Sequence, residues 1–528
     1  MTIDSSKFSN LVSIIKNSFR VRANHKPLYV DIGGNIERIS APQHQIVFGR
    51  RGSGKSCLFV HFRNDSCPNE VLPIYIMADE LKRLTYPDVI IRLLVEVFES
   101  LPIKKNLLER VLRRKNPIEK SIYELRQLLD MAEESEVTDD RKTSTKTDFK
   151  GSVSAKKSME VSAGGSRDET YGRTSSFKER KLDTLERHLR DYKNSLRQGL
   201  DQSEKDKAYV FVDDFYLFPR ESHPDILDYL HRLLRDTNYY MKIGTVRHRT
   251  RLFRNHPQTI GVELNQDVEG ISLDLTLQDI QATQTHLGRM LTSIAEKAGI
   301  DDITERYFNP DALQELTLIS GGVPRDFLNI FIGAIEASIG GGSRKWLTPK
   351  YIYKGASSNT YNTKVKNLSE DASSDAESLK RLMNDLTIFC LDEKKKTAFL
   401  ISQDDAQNFP NEHELIQQLM DFKLIHVVEP DTSAASGRPG RYEAYTLDLS
   451  LFMEPRRRNI EIVRFWKRDD SLRPEGIREA PIYQLSRARR AYLDEKQEGE
   501  TPILVDNVKN IKASAAEANP NQGSLFDT

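Results

Sequence analysis

The densest chemistry in the chain lies in "FGRRGSGKS". It fits G-x-x-x-x-G-K-[ST] through Gly49, Gly54, Lys55 and Ser56, with a further glycine at Gly52 and a serine at Ser53. Glycines at such positions let successive backbone N–H groups curl around an anion. The helix that follows aims its positive end at the same point, and the lysine neutralises terminal phosphates. Ser56 is placed to coordinate Mg²⁺. Gly49, Gly52, Ser53, Gly54, Lys55, Ser56 and Cys57 form the candidate phosphate-binding set. The context is the one the motif requires, because apolar "QIVF" precedes the turn and apolar-periodic "SCLFVHFR" follows it.

A site that acts on a bound nucleotide also needs carboxylates at the end of a second strand, to hold the metal and orient water. "KAYVFVDDFYLF" supplies them. Tyr209 to Val212 read as a buried strand, Asp213 as the metal carboxylate and Asp214 as the candidate base. The competing reading is a pair of aspartates that merely opens a turn. An aspartate base is one methylene shorter than the glutamate many ATPases use, which predicts slow turnover or a switch-like use of ATP. In "YYMKIGTVRHRTRLF", Thr245 sits where a strand end presents a hydroxyl to the γ-phosphate or the attacking water. Arg247 follows two residues later as a charge sensor. "SGGVPRDFLNIF" adds Arg325 as a second sensor. The catalytic candidates are therefore Lys55, Asp213, Asp214, Thr245, Arg247 and Arg325. For Arg249, Arg251 and Arg254 the solvated-loop reading is better than that of fingers reaching a neighbouring subunit.

Together these stretches resemble the AAA+ ATPases of the Orc/Cdc6 type, in the branch found as stand-alone prokaryotic proteins. The resemblance spans about residues 25 to 455 and rests on "YVDIGGNIERI", "FGRRGSGKS", "LPIYIMADEL", "YPDVIIRLLVEVF", "VFVDDF", "KIGTVRHRT" and "SGGVPRDFLNIF". The paired aspartates and the T-x-R are also similar to STAND ATPases, which use ATP as a signalling switch. The resemblance implies an α/β fold: a P-loop AAA+ parallel-sheet core, a helical lid carrying Arg325, and a winged-helix domain that touches double-stranded DNA. It also implies ATP and Mg²⁺ as cofactors and a homo-oligomer as one assembly.

The whole chain sets limits on these readings. At 528 residues and 38% apolar it is long enough for several buried cores. Lysine plus arginine equal aspartate plus glutamate at 78 each, so attraction to DNA has to come from local clustering. The three cysteines, Cys57, Cys67 and Cys390, are too scattered for a disulfide framework or metal cluster and predict a reducing, cytoplasmic setting. No apolar run approaches the roughly 18 residues of a membrane span.

Along the chain, residues 1–25 read as an amphipathic helix and 26–270 as the core, within which 133–179 is a polar insertion with too little apolar surface to order itself. Residues 271–340 read as the helical lid, and 341–377 as a linker. Two helical and two strand patterns over 378–455 read as the winged helix. Its hairpin tip carries Arg438 and Arg441, placed to meet phosphates or a minor groove. The small α/β domain with merely solubilising arginines is the equal alternative. From 456 to 528 a basic segment with Arg456, Arg457 and Arg458 leads into a polar tail expected to be disordered. Beside a salt-sensitive DNA-tracking role for the segment stands the reading in which Phe465 and Trp466 simply pack. The terminal "NQGSLFDT" resembles a peptide that docks on the bacterial sliding clamp, with Gln522, Leu525 and Phe526 as anchors.

Overall fold

The computed structural model describes residues 5–19, 29–31, 33–104, 116–131, 165–255, 258–340, 347–357, 360–371, 376–435, 439–451, 459–468 and 474–493. The chain divides into two compact units. One holds the described residues of 20–49 and 54–273, and the other those of 1–19, 50–53 and 274–528.

The first unit is built on apolar runs that alternate between two faces. Strands β1 (Gln45–Phe48), β2 (Val71–Met77), β3 (Lys207–Asp213), β4 (Tyr239–Thr245) and β7 (Glu269–Ser272) form a parallel sheet in the order β2-β3-β4-β1-β7, while β5 (Phe253–Arg254) and β6 (Ile260–Gly261) pair separately. Ile46, Phe48, Val210, Val212, Met241 and Ile243 face a core shared with helices Asp88–Glu99 and His223–Leu234. Val47, Tyr209, Phe211 and Ile271 face the opposite core, with Leu58, Phe59 and Phe62. A period of two that is apolar on both faces is what a parallel sheet covered on both sides demands. The fold class is thus α/β, as expected.

The polar insertion differs from expectation. Residues 132–164 lie outside those described, but a helix runs Gly165–Ser203, so the stretch from 165 to 179 is helical rather than loop. Its continuation carries Leu185, Tyr192, Leu196 and Leu200, all buried at helical spacing, and that anchored part supports the polar turns before it.

In the second unit, helices Ile280–Lys297, Ile303–Tyr307, Pro310–Ile319 and Pro324–Gly340 follow one another. Asp279 caps the first by accepting from the Ala282 amide at 3.0 Å, and Asn309 caps the third by accepting from the Asp311 amide at 3.1 Å. The amino-terminal helix Ser5–Ser18 packs Phe8, Leu11 and Ile15 against this bundle, with Phe8 edge-on to Tyr307 at 5.1 Å.

The segment read as a linker contains two helices, Pro349–Ser357 and Thr360–Asp371. The polar composition hid an apolar stripe in which Ile352, Ala356 and Leu368 are buried. Gly355 meets Gly333 closely enough that a Cβ at Gly333 would stand 2.9 Å from the Gly355 Cα.

Next come helix Ala376–Thr387, β8 (Ala398–Ser402), helices Gln403–Asn408 and Pro410–Asp421, β9 (Ile425–Thr432) and β10 (Tyr442–Leu447). The three strands form an antiparallel sheet in the order β8-β10-β9. Beyond the basic segment, where the tail was expected to be disordered, residues 474–493 are ordered. Ile477, Tyr483 and Leu485 are buried, Tyr483 donates its backbone N–H to the Leu400 carbonyl along this sheet's margin, and a helix runs Leu485–Leu493. Among the described residues no helix is long and apolar enough to cross a membrane.

Candidate functional site

The phosphate motif sits where a doubly covered parallel sheet offers a crevice, at the carboxyl end of β1. The helix Lys55–His61 starts directly after it. Gly52 and Gly54 have φ of +94° and +102°, a backbone region that side-chain-bearing residues rarely enter. Lys55 opens the helix, is 4% exposed, and donates from Nζ to the Gly49 carbonyl at 2.6 Å. The Ser53 hydroxyl is buried without a hydrogen-bond partner. A buried orphan hydroxyl beside a left-handed glycine, a lysine head folded onto the loop and a helix start suit a polyphosphate. Ser56 and Cys57 stand in the first turn, half-buried.

Strand β4 lies between β1 and β3, and its register brings the candidate residues into line. Phe48 pairs with Thr245, and the Gly49 amide donates to the Thr245 carbonyl at 3.1 Å, which ties the loop's first residue to β4. Asp213 ends β3 and is 2% exposed. It lies over Gly244, where a Cβ would come within 2.9 Å of Asp213 Oδ1 and 2.7 Å of the Phe59 ring, so only glycine leaves room for the carboxylate. Tyr75 on β2 donates its hydroxyl proton to Asp213 Oδ2 at 2.8 Å, and the Asp214 amide donates to Oδ1 at 3.0 Å. Burial and the facing Asp213 charge push the Tyr75 phenol far above its usual range, so it remains a donor. Sequence reasoning did not find Tyr75. Its signal is the β2–β3 register, in which Tyr75 is the pleat neighbour of Met77, the partner of Asp213.

Asp214, the candidate base, takes a left-handed backbone with φ 54° immediately past the strand. Thr245 is fully buried, and its Oγ1 is 2.5 Å from that of Thr250. Because Thr250 spends its own proton on the Val246 carbonyl at 2.8 Å, Thr245 is the donor in that pair. Its oxygen keeps acceptor capacity, and donation to a phosphate would require the hydroxyl to turn. Arg247 is exposed, with its guanidinium over the Phe48 ring at 4.1 Å, next to the loop. Arg254 makes a two-pronged pair with Asp225 at 2.6 and 2.7 Å, and Arg249 stacks on Tyr216, so both have structural occupations.

In the second unit, Arg325 is the second residue of helix Pro324–Gly340 and meets the loop tip. Its amide donates to the Gly52 carbonyl at 3.3 Å, and a Cβ at Gly52 would stand 2.8 Å from the Arg325 Cβ. The hairpin arginine Arg441 pairs with Asp431, donating from Nη2 to the Asp431 carbonyl at 3.0 Å. Arg438, Arg456, Arg457, Arg458, Gln522, Leu525 and Phe526 lie outside the described residues. In the basic segment Val463 and Phe465 are buried, and Trp466 meets Phe465 edge-on at 5.1 Å, so there the aromatics pack. Among the described residues no cluster of histidine, cysteine and carboxylates is arranged to hold a metal by itself. Any Mg²⁺ here would need a nucleotide's oxygens beside Ser56 and Asp213.

No protein-family model matches the chain, and no curated protein matches it either. Among solved structures it is similar to the ORC1 protein of Aeropyrum pernix in complex with DNA, at 13% identity over 85% of this chain and 90% of that one, with a TM-score of 0.30. It is also similar to a point mutant of the RuvB protein of Thermotoga maritima, at 13% identity over 38% of this chain and 57% of that one, with a TM-score of 0.20. Likenesses this distant transfer no activity, and the functional reading rests on the site.

Proposed function

We propose that the protein is an ATP-binding, slowly hydrolysing AAA+ ATPase of Orc/Cdc6 type whose nucleotide state controls its grip on double-stranded DNA. The observation that carries the reading is the alignment at the carboxyl edge of the sheet. A glycine loop with a buried lysine ends β1, a threonine ends β4, and a hydrogen-bonded carboxylate ends β3 over a glycine made for it.

In this reading the loop amides and Lys55 bind the β- and γ-phosphates, and Ser56 and Asp213 hold Mg²⁺ with Tyr75 and the Asp214 amide fixing the carboxylate. When bound, the metal would neutralise phosphate charge. Asp214 orients the attacking water and accepts its proton. Its short side chain and constrained backbone support slow turnover. Thr245 at the end of β4 and Arg247 in the turn after it sense the γ-phosphate, and Arg325 senses it from the lid.

The order of helix, strand, two helices and two strands over 376–447, with the sheet order β8-β10-β9, supports a winged helix as the DNA-facing element. Replication, mobile-element maintenance and phage defence are the processes such an ATPase would serve.

The test is duplex-DNA anisotropy across a salt series, without nucleotide and with ATP, ADP or a non-hydrolysable analogue, alongside ATP turnover. Expected are salt-sensitive binding that changes with nucleotide, and an Asp213→Ala variant that loses the change and about 10²–10³-fold of turnover. Saturable nucleotide binding with flat DNA affinity would instead favour a STAND-like switch that assembles with protein partners.

A further inference from the structure

The motif leaves its second residue open, yet Arg50 is only 9% exposed, and arginine is seldom buried without partners. It has several specific partners in the second unit. Asp274 Oδ1 accepts from its backbone amide at 2.7 Å and from Nε at 3.3 Å. Nη2 donates to the carbonyls of Leu275 at 2.6 Å and Gly321 at 3.1 Å. Nη1 faces His426 Nδ1 at 3.3 Å. A guanidinium has no acceptor, so Nδ1 must be the lone-pair nitrogen and the ring's proton sits on Nε2. That proton is donated to Asp448 Oδ2 at 2.8 Å, and Lys364 Nζ donates to the same oxygen at 2.6 Å. His426, Asp448 and Lys364 are 3%, 0% and 3% exposed.

The chain of groups therefore runs Asp274, Arg50, His426, Asp448, Lys364, with charges that cancel and one histidine tautomer that fits. Its geometry is tight. Gly321 lies on the imidazole so closely that a Cβ would stand 2.1 Å from its Cε1. In parallel, Lys423, next to β9, pairs at 2.9 Å with Asp326 of the helix whose Arg325 amide holds Gly52. Two residues of the phosphate loop, Arg50 and Gly52, are thereby fastened from outside it.

We propose that His426, held by Asp448, is a positioning residue for the phosphate loop: it fixes Arg50, and through Arg50 the backbone whose amides face the phosphates, so that the C-terminal three-stranded domain and the nucleotide are thermodynamically coupled. The coupling rests on the nucleotide reading above, whereas the tether itself does not. Whatever shifts β9 against Gly321 changes the loop, and by linkage nucleotide changes the C-terminal domain by the same factor.

The test uses the full chain and amide hydrogen exchange without nucleotide. His426→Leu removes the acceptor for Arg50. His426→Asn keeps an acceptor near the Nδ1 position and drops the Asp448 bond. Expected is at least ~10-fold faster exchange at Gly49–Ser56 in the leucine variant and within ~3-fold of wild type in the asparagine variant, while β3 exchanges as before. Unchanged loop exchange in the leucine variant, or acceleration spread equally over loop and β3, overturns the tether. Nucleotide affinity then reads its consequence. Wild type should bind a fluorescent ATP analogue, His426→Leu at least ~10-fold more weakly, and His426→Asn close to wild type, with Lys55→Ala as the reference for a lost site. Wild type that binds no better than Lys55→Ala refutes the nucleotide reading and leaves the exchange result to judge the tether. Tight binding by His426→Leu refutes the coupling alone.

Discussion

Buried cations in the two units are kept in opposite ways. In the sheet unit, Lys242 of β4 is fully buried and surrounded by neutral acceptors: the carbonyls of Ala41 at 2.6 Å and Gln43 at 3.1 Å, and Gln45 Oε1 at 2.6 Å, with the Tyr209 ring 4.4 Å away. No carboxylate bonds it directly, and burial pulls its pKa down to about 7 against the weaker upward pull of Glu269. In the C-terminal unit, Lys364 and Arg50 are buried against Asp448 and Asp274 with His426 between. Burial opposes ionisation of Asp448, yet the Lys364 charge and the His426 hydrogen bond outweigh it and hold the carboxyl far below its usual range. A buried charge met by dipoles is easily neutralised and serves the fold. One met by countercharges stays ionised, and removing any member leaves the others exposed to low dielectric. The second kind can transmit a change, and it is the kind attached to the phosphate loop.

The largest effect expected from this contrast is at Asp448. Asp448→Ala leaves Lys364 buried without its anion and His426 without its acceptor, for which about 3–5 kcal/mol of lost stability is the usual scale. Asp448→Asn, which still accepts from Nε2, should lose less. Urea unfolding followed separately in the two units, by exchange or by limited proteolysis, checks this. Loss confined to the C-terminal unit supports the contrast, and equal loss in both breaks it.

At Lys242 the expected effect is smaller and depends on pH. The folded pKa is depressed, so between about 7 and the ordinary lysine value the unfolded chain binds more protons than the folded one, and stability rises with pH across that window. Below about pH 7 both states are protonated, and the penalty for burying the charge is fully present. Lys242→Met removes this rise and leaves three acceptors unmet, a cost of about 1–3 kcal/mol. Melting curves from about pH 6 to 10 check it. A wild-type Tm with no upward trend relative to Lys242→Met would show that the lysine is charged when folded.

The sequence carried these two regions unequally. The phosphate loop, Asp213 and Thr245 were legible because a strand end and a glycine turn are local signals, and the apolar runs beside them are long. Tyr75 was not, because its role follows from a strand register across a gap of more than a hundred residues. Arg50 was hidden inside the motif at a position the pattern leaves free. His426 lies in β9, Lys364 in helix Thr360–Asp371 and Asp448 just past β10, and no spacing announces their meeting. The helices at 349–371 look like linker in the sequence because their polar residues outnumber a buried stripe only a few residues wide, and the helix ending at Leu493 is hidden for the same reason.

The smallest effect sharpens the contrast from its far side. Arg441 and Asp431 are both exposed on the hairpin of β9 and β10, and their pair holds the Asp431 carboxyl below its ordinary value through the Arg441 hydrogen bond. Water already solvates both charges and salt screens them, so Arg441→Ala should leave the Tm unchanged. If this hairpin is the wing of a DNA-binding domain, the same variant weakens duplex binding and makes the dependence of affinity on salt shallower by about one phosphate contact, uniformly across sequences. Parallel melting and anisotropy series decide it. Unchanged Tm with weaker, less salt-sensitive binding marks Arg441 as an arginine kept for phosphate, released from Asp431 on contact. An unchanged salt slope assigns it to the hairpin alone, and a fall in Tm like that of Asp448→Ala would erase the distinction between exposed and buried pairs on which the comparison stands.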